Sequence, residues 1–336
     1  MADDVGAPPF LRPGWFEAWW RAFGSGQLDI ATLRRAGRLV AVLPLRRHRG
    51  ALLSPTNWHA PGFGPVGEPA SATLLIRRVF AGLGRTHRVS LSLVDPAAAE
   101  TDIWRAALEA QGFRVLTRSP GRWAGEEIDG DWGGYERALS RNTRSGLRRG
   151  RRRLDQAGQV SFDQVDGTED LERLLAEGFA VEASGWKASR GTAIGSRPET
   201  ERFYRDLARW AARTGRLRLA FLRVERHPVA FEFALEDGGV HYALKSGFDP
   251  TYAACSPGRL VIHRSLELAF GRGLTRFELA GVEPYKLAWA NSFRDLIVFQ
   301  AFAPSPAGLA GWAAFRYGHP AAKRVVASLP SRRSIG

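Results

Sequence analysis

The chain contains a diverged copy of part of itself, and that limits its fold more than any other feature. Residues 28–41, LDIATLRRAGRLVA, align without a gap on residues 217–230, LRLAFLRVERHPVA, with six identities in fourteen positions. The order downstream repeats as well: LLIRR at 74–78 matches LVIHR at 260–264, and residues 88–93 match 276–279. Two copies of one supersecondary unit are the simplest source of such a pattern. Within each copy, short apolar runs bounded by Gly and Pro alternate with segments of helical period, so the unit is α/β. A chain of 336 residues with 44% hydrophobic content is long enough for two such units and can bury sizeable cores. The fold expected is therefore α/β (α+β), with two tandem halves, each a mixed twisted sheet flanked by helices.

The boundary between the halves is expected at residues 126–134, EEIDGDWGG, which are acidic, glycine-bearing and followed by an abrupt change to basic sequence. That places an N-terminal half at 1–125, a linker at 126–134, a C-terminal half at 135–304 and a helical tail at 305–336. Trp15, Trp19 and Trp20 read as core anchors of a short aromatic helix. Residues 57–69, NWHAPGFGPVGEP, are too rich in Gly and Pro for regular structure and either line a cleft or merely connect. Residues 296–302 are apolar on both faces, as an interior strand requires.

No run is apolar over the ~20 residues a membrane-spanning helix needs, and the start, MADDVGAPPFLRPGW, lacks the basic and apolar regions of a secretory signal. A cytoplasmic location is expected. The single cysteine, Cys255, excludes an internal disulfide and reads as a small buried residue. No His/Cys cluster has zinc spacing, so no metal is expected. The formal charge of +14 suits nucleic acid, an anionic membrane or an acidic substrate. In a helix predicted over 135–156, Arg141, Arg144, Arg148 and Arg152 share one face, either an anion-binding surface or a solvated one.

The densest chemistry lies in residues 241–290, which read as strand, polar loop, helix, strand and second polar loop, with both loops at one edge of the sheet. Ser256 is the expected helix cap, Pro257 suits the first helical position and Gly258 permits close approach. Such a start offers free backbone N–H groups and the positive end of the helix dipole, so Ser256, Gly258, Arg259 and Leu260 form a candidate phosphate site. The chain has only four lysines, Lys187, Lys245, Lys286 and Lys323. The first three fall in GWK, LKSGFD and PYK, where a compact, deprotonatable ammonium differs from a guanidinium. The N-terminal copy lacks these motifs and reads as mainly scaffold.

Taken in order, GWKASRGTAI, KSGFDPTYAACSPGRL and ELAGVEPYKLAWA resemble the GNAT-like acyltransferases of the CelD type, associated with bacterial cellulose and exopolysaccharide biosynthesis. The resemblance covers residues 10–303. Related tandem-GNAT architecture occurs in the Fem-type peptidyltransferases, which use aminoacyl-tRNA in place of acyl-CoA. The resemblance implies two GNAT-like halves, an acyl donor clamped where two strands splay apart, and acetyl-CoA or another acyl-CoA as co-substrate. Ordinary GNAT enzymes carry Q/R-x-x-G-x-G/A before the helix; here the place reads AACSPGRL with a single glycine. The donor therefore stays open between acyl-CoA and aminoacyl-tRNA.

Acyl transfer from a thioester to an amine needs a neutral amine, a polarised carbonyl and a proton for the leaving thiolate. An amine with a pKa near ~10 is mostly protonated at neutral pH, so a carboxylate base is needed. Glu283 is the first candidate, since Glu278 falls within a predicted strand and Asp249 suits a turn before Pro250. Tyr285 is the candidate proton donor, and Lys286 the candidate partner of a phosphate or acidic acceptor group. Glu182, Trp186, Lys187, Lys245 and Asp249 are candidates to meet the acceptor, a small molecule, sugar or peptide. The alternatives are a tRNA-dependent transferase gripping tRNA through the basic helix, and an inert chain binding nucleic acid or anionic lipid through it.

Overall fold

The computed structural model describes residues 2–185 and 191–318. Trp186, Lys187 and Lys323 lie outside the described residues. In chain order the elements are α1 (Pro13–Phe23), β1 (Gln27–Arg35), β2 (Arg38–His48), β3 (Ala51–Leu53), β4 (Val66–Gly67), α2 (Pro69–Ala81), β5 (Arg88–Val94), α3 (Ala99–Glu109), β6 (Arg114–Glu127), α4 (Trp132–Ala138) and α5 (Arg141–Ala157). There follow β7 (Val160–Val165), α6 (Leu171–Ala183), α7 (Pro198–Arg213), β8 (Leu217–Val224), β9 (His227–Asp237), β10 (Val240–Phe248), α8 (Pro257–Gly271), β11 (Arg276–Leu279), β12 (Ser292–Phe302) and α9 (Pro306–Ala313).

The sequence repeat is a repeat of geometry. Leu33 pairs with Ala41 and Leu222 with Ala230, which are aligned positions, and both ladders slip register at the next residue, Arg34 and Arg223. The extra residue in each case makes the same bulge in the same place. Each copy then forms a parallel pair joined through a helix: β3 with β5 across α2, and β10 with β11 across α8. The fold is α/β with two tandem halves.

How the halves join is absent from the repeat. One sheet runs through both in the order β1-β2-β3-β5-β12-β6-β11-β10-β9-β8-β7, with β4 beside β2. The antiparallel neighbour of β5 is β12, from the far end of the chain, and β6 runs on past it to pair with β11 of the second half. Residues 296–302 thus lie in an interior strand, as their two apolar faces require. Glu126 and Glu127, expected to open a linker, end β6 opposite Phe277 and Arg276. Their backbone groups are satisfied by a ladder to a strand about 150 residues away in sequence, so long-range pairing outweighs local composition there.

The predicted basic helix is two helices. The chain turns at Leu139 and Ser140, and Ser140 Oγ accepts from the Thr143 N–H at 3.1 Å as the cap of α5. Thr143, Leu147, Gly150 and Leu154 are its buried stripe. A side chain at Gly150 would collide with the Cys255 carbonyl, so the glycine lets α5 lie against the turn before α8. Cys255 is buried.

Trp15 and Trp19 are core anchors as expected, but of the second half: they pack with Phe203, Leu207 and Phe231 beneath its sheet. Leu260, Ile262 and Leu266 of α8 fill the core on the opposite face. Among the described residues, no helix is long and apolar enough to cross a membrane, and no group of three or more His, Cys, Asp or Glu side chains could hold a metal ion.

Candidate active site

The site starts where two parallel strands part. β10 and β11 stay in register from Val240 opposite Arg276 to Ala243 opposite Leu279, and pair no further. On one side, β10 slips register against β9 between Ala243 and Lys245. On the other, the chain leaves β11, and the Gly281 carbonyl accepts from the Ala124 N–H of β6 at 3.1 Å. Gly281, with φ +90, allows that turn. A cavity of about 470 Å³ occupies the gap. Trp58, His59 and Tyr204 line it with Lys245, Ile262 and Glu232 line it further on, and Glu283, Tyr285 and Lys286 border it. Tyr204 and Ile262 belong to cores on opposite faces of the sheet, so the cavity reaches through the splay.

A second cavity, of about 260 Å³, lies at the start of α8 between Glu182, Gly185, Ser256, Gly258 and Arg259. The two cavities share Ser246 and Tyr285 as lining residues. Gly247 keeps this passage narrow-walled, since a Cβ there would come 2.5 Å from the Glu182 Cα.

The helix start differs from the expected cap. Ser256 is left-handed (φ 52, ψ 47) and makes no side-chain cap bond. Its own N–H donates to Ala253 O at 3.0 Å, while Arg259 and Leu260 N–H both donate to Ser256 O at 3.0 and 3.3 Å. Pro257 has no N–H, so the Gly258 N–H and the Arg259 side chain are what an anion would meet. Arg259 Nε is buried with no hydrogen-bond partner. Leu260 lines neither cavity and packs into the core. Asp249 also lies off both cavities: it caps the turn at Pro250–Cys255 through the Thr251 N–H (2.9 Å) and meets His227 at 3.1 Å. Burial works against its charge, but these two partners hold its carboxyl below the usual range.

At the border of the gap, Lys286 is 9% exposed and its Nζ lies 2.8 Å from Glu283 Oε2. Tyr285 is bonded through its hydroxyl to the Ser246 side chain; burial, then the Glu283 charge, push its pKa to about 12. At neutral pH it is a proton donor and not a base. Glu182 is buried, its Oε2 accepting from the Ile194 N–H at 2.8 Å. Lys245 Nζ lies 4.8 Å from the centre of the Trp58 ring and 3.4 Å from Thr192 O. The structure thus brings Glu182, Lys245, Ser256, Gly258, Arg259, Glu283, Tyr285 and Lys286 into one site and leaves Leu260 and Asp249 outside it.

Lining residues that the sequence reading did not name include Trp58, His59, Tyr204 and Glu232. Trp58 and His59 come from the 57–69 loop of the N-terminal half, so that half supplies part of the cavity wall. Burial, then Lys245 and Arg197, push His59 down to about 3, so it is a neutral ring, with Nδ1 3.3 Å from the Tyr204 hydroxyl. The available signal for Glu232 was one carboxylate alone in the apolar run VAFEFAL. Glu278 sits on β11 within 2.7 Å of Arg276, an ion pair that accounts for one of its oxygens.

The arginine face of α5 forms a third feature, a groove of about 900 Å³ against α8. Arg151 pairs with Asp155 at 2.9 Å and Arg264 with Glu267. Arg148 and Arg152 have no carboxylate partner among the described residues.

Residues 141–287 match the family model described as the acetyltransferase (GNAT) domain. No curated protein sequence matches the chain. Among solved structures, the chain is similar to FemX (11% identity, 89% of this chain and 95% of that one, TM-score 0.60). It is also similar to a C-terminal domain assigned to a lysylphosphatidylglycerol synthetase of Agrobacterium fabrum (14%, 94% of each chain, TM-score 0.57). A third is a conserved protein of Bacteroides thetaiotaomicron of unknown function (11%, 85% and 88%, TM-score 0.53). At such identities the likeness is one of fold. The matched segment spans α5 to the residues after β11 and contains the splay, the start of α8 and the Tyr285–Lys286 pair, so the acetyltransferase (GNAT) match falls on the site itself and supports an acyltransferase.

Proposed function

We propose that the protein moves an acyl group from acyl-CoA, in the first instance acetyl-CoA, to an acceptor held in the cavity between the halves. The observation that carries this reading is that the cavity at the start of α8 and the cavity at the splay meet at Ser246 and Tyr285. The Gly258 N–H and the Arg259 guanidinium fit a diphosphate, being donors at a helix N-terminus with a buried Nε left over. Acyl-CoA supplies the activated acyl group. Tyr285 holds a proton for the leaving sulfur, and Lys286, paired with Glu283, presents a fixed charge to the acceptor. Aromatic walls from Trp58 and Trp123 suit a small molecule, a sugar or a peptide side chain, so a role in polysaccharide biosynthesis of the CelD kind is one setting for the activity. Calorimetric titration with CoA and acetyl-CoA tests the reading. Saturable binding of both is expected, and no heat at millimolar ligand with folded protein would overturn it.

A second reading is favoured by the groove of Arg144, Arg148, Arg151 and Arg152 and by the likeness to FemX: a transferase whose donor is aminoacyl-tRNA. Binding of tRNA would then weaken steeply with salt, because each neutralised phosphate releases counterions. Absence of tRNA binding at low salt, with CoA bound, removes this reading.

A further inference from the structure

The groove between α5 and α8 has a floor and a rim of different chemistry. Its floor is apolar, formed by Leu147 of α5, Leu222 of β8, Leu260 of α8 and the half-buried Phe162 of β7. Its rim carries carboxylates as well as arginines, and each carboxylate is already matched: Asp155 with Arg151 at 2.9 Å, Glu267 with Arg264, and Glu136 with His263 at 3.4 Å. Arg144 donates to the Arg137 carbonyl at 2.7 Å. Arg148 and Arg152 are exposed and have no carboxylate partner among the described residues, so they carry surplus positive charge.

That arrangement selects the kind of partner. Arg148 and Arg152 stand one turn apart, about 6 Å along α5, and so match two carboxylates one turn apart on a second helix. An apolar floor between charged walls takes the apolar face of such a helix. An RNA backbone offers phosphates throughout, which would meet Glu136, Asp155 and Glu267 as well as the arginines and would leave the leucine floor uncovered. The groove, of about 900 Å³, therefore suits an acidic amphipathic helix of a protein.

The groove also adjoins the cavity at the start of α8. Arg259 lines that cavity, and its Nη1 would stand 3.8 Å from a Cβ at Gly146 of α5. The next residue on each helix, Leu260 and Leu147, lines the groove. Pro257 has no N–H, and those of Arg259 and Leu260 donate to Ser256 O, so the Gly258 N–H and the Arg259 guanidinium are left for the first phosphate of a pantetheine arm. Beyond that phosphate the bearers of such an arm differ: in CoA it continues into a nucleotide, and in a carrier protein it is esterified to a serine on the protein surface.

We propose that the groove between α5 and α8 docks an acidic helix of a carrier protein, which delivers the acyl group as a thioester on its phosphopantetheine arm. The inference rests on the acyl-transfer reading above and names the macromolecule that supplies its donor. With the helix seated along Arg148 and Arg152, the arm enters past Arg259 toward Ser246 and Tyr285. The C–S bond of the thioester breaks as the acyl carbon bonds to the acceptor's nucleophilic atom. The proton that atom loses ends on the sulfur, and the carrier leaves as its free thiol. CoA, which shares the arm, still binds but makes no use of the groove.

The full chain is titrated calorimetrically with a bacterial acyl carrier protein, with and without its arm, and with CoA. The armed carrier should bind at least tenfold more tightly than the bare one, and more weakly as salt rises. Arg148→Ala with Arg152→Ala should weaken it at least tenfold and leave CoA binding unchanged. Arg148→Lys with Arg152→Lys keeps the charge and should restore most of the affinity. Arg77→Ala with Arg78→Ala removes the same charge from exposed positions on α2, the repeat counterpart of α8, and should change nothing. Equal binding of the two carrier forms, an equal loss in the α2 variant, or loss of CoA binding together with the carrier would overturn the proposal. Binding of tRNA through Arg148 and Arg152, with no carrier bound, would overturn it too. CoA binding without carrier binding refutes the carrier alone, whereas binding of neither removes the acyl-transfer reading as well.

Discussion

The hydroxyl of Tyr285 meets the side chain of Ser246 across the gap where β10 and β11 part, joining a residue after one strand to a residue within the other. Burial and the Glu283 charge keep that phenol protonated up to about 12, so it carries its proton at neutral pH. A proton held there can be given to a leaving sulfur and is not lost to bulk water at neutral pH.

Tyr285→Phe should therefore slow thiol release from acetyl-CoA by on the order of tenfold or more, about 1.4 kcal/mol of transition-state stabilisation. CoA affinity and thermal stability should stay close to wild type. Release is followed with a thiol-reactive dye once an acceptor is in hand; an unchanged rate removes the proton-donor role.

Lys286→Arg should lower turnover by a similar factor, roughly tenfold. Lys286 is 9% exposed and its ammonium lies 2.8 Å from Glu283 Oε2, and a planar guanidinium is too wide for a pocket shaped around a compact charge. Lys323→Arg should alter nothing. Equal rates for wild type and Lys286→Arg would refute the role.

Glu126 makes stability depend on pH in a direction unusual for a carboxylate. Burial raises it from 4.5 to about 7, against a hydrogen bond from the Asn291 backbone, and Asn291 Nδ2 also donates to its Oε1 at 2.9 Å. The folded chain keeps this proton after the unfolded chain has lost it, so stability falls as pH rises from about 4.5 to about 7 and levels off above. Glu126→Gln keeps an acceptor for Asn291 and should abolish this component, leaving the variant more stable at pH 8 by on the order of 1 kcal/mol. Urea unfolding at pH 5 and pH 8 measures it, and a wild-type chain more stable at the higher pH relative to the variant contradicts it.

Gly247→Ala should destabilise the chain by about 1–3 kcal/mol through overpacking, because the new Cβ would stand 2.5 Å from the Glu182 Cα. That atom is backbone and cannot swing away, so the end of α6 must shift from the wall of the smaller cavity. Denaturant midpoints report the stability and CoA titration reports the cavity; a variant indistinguishable by both would show that α6 yields freely.

Arg148→Ala combined with Arg152→Ala should leave CoA binding and folding intact, since both side chains lack carboxylate partners among the described residues. If the groove between α5 and α8 binds a polyanion, the same pair should flatten the salt dependence by roughly two phosphates' worth of slope. Filter binding with tRNA over a salt series reads this directly.

Local chemistry in the sequence determined the repeated unit, because bulge, strand pair and crossover helix depend on residues close together in the chain. Leu33 and Ala41, and their counterparts Leu222 and Ala230, pair across turns only a few residues long. The PYK and SPG segments were legible for the same reason, as was the interior character of β12. What only the tertiary structure decided rests on contacts distant in sequence. The long strand β6 crosses between halves because β11 and β12 offer it ladders, and nothing in the acidic residues Glu126 and Glu127 announces those partners. Trp58 and His59 reach the cavity because the first half packs against the second. That His241 engages one oxygen of Glu232 is likewise a matter of side-chain direction across a sheet. Periodicity reports which face a residue occupies, and the neighbours on that face come from the packing of the whole chain.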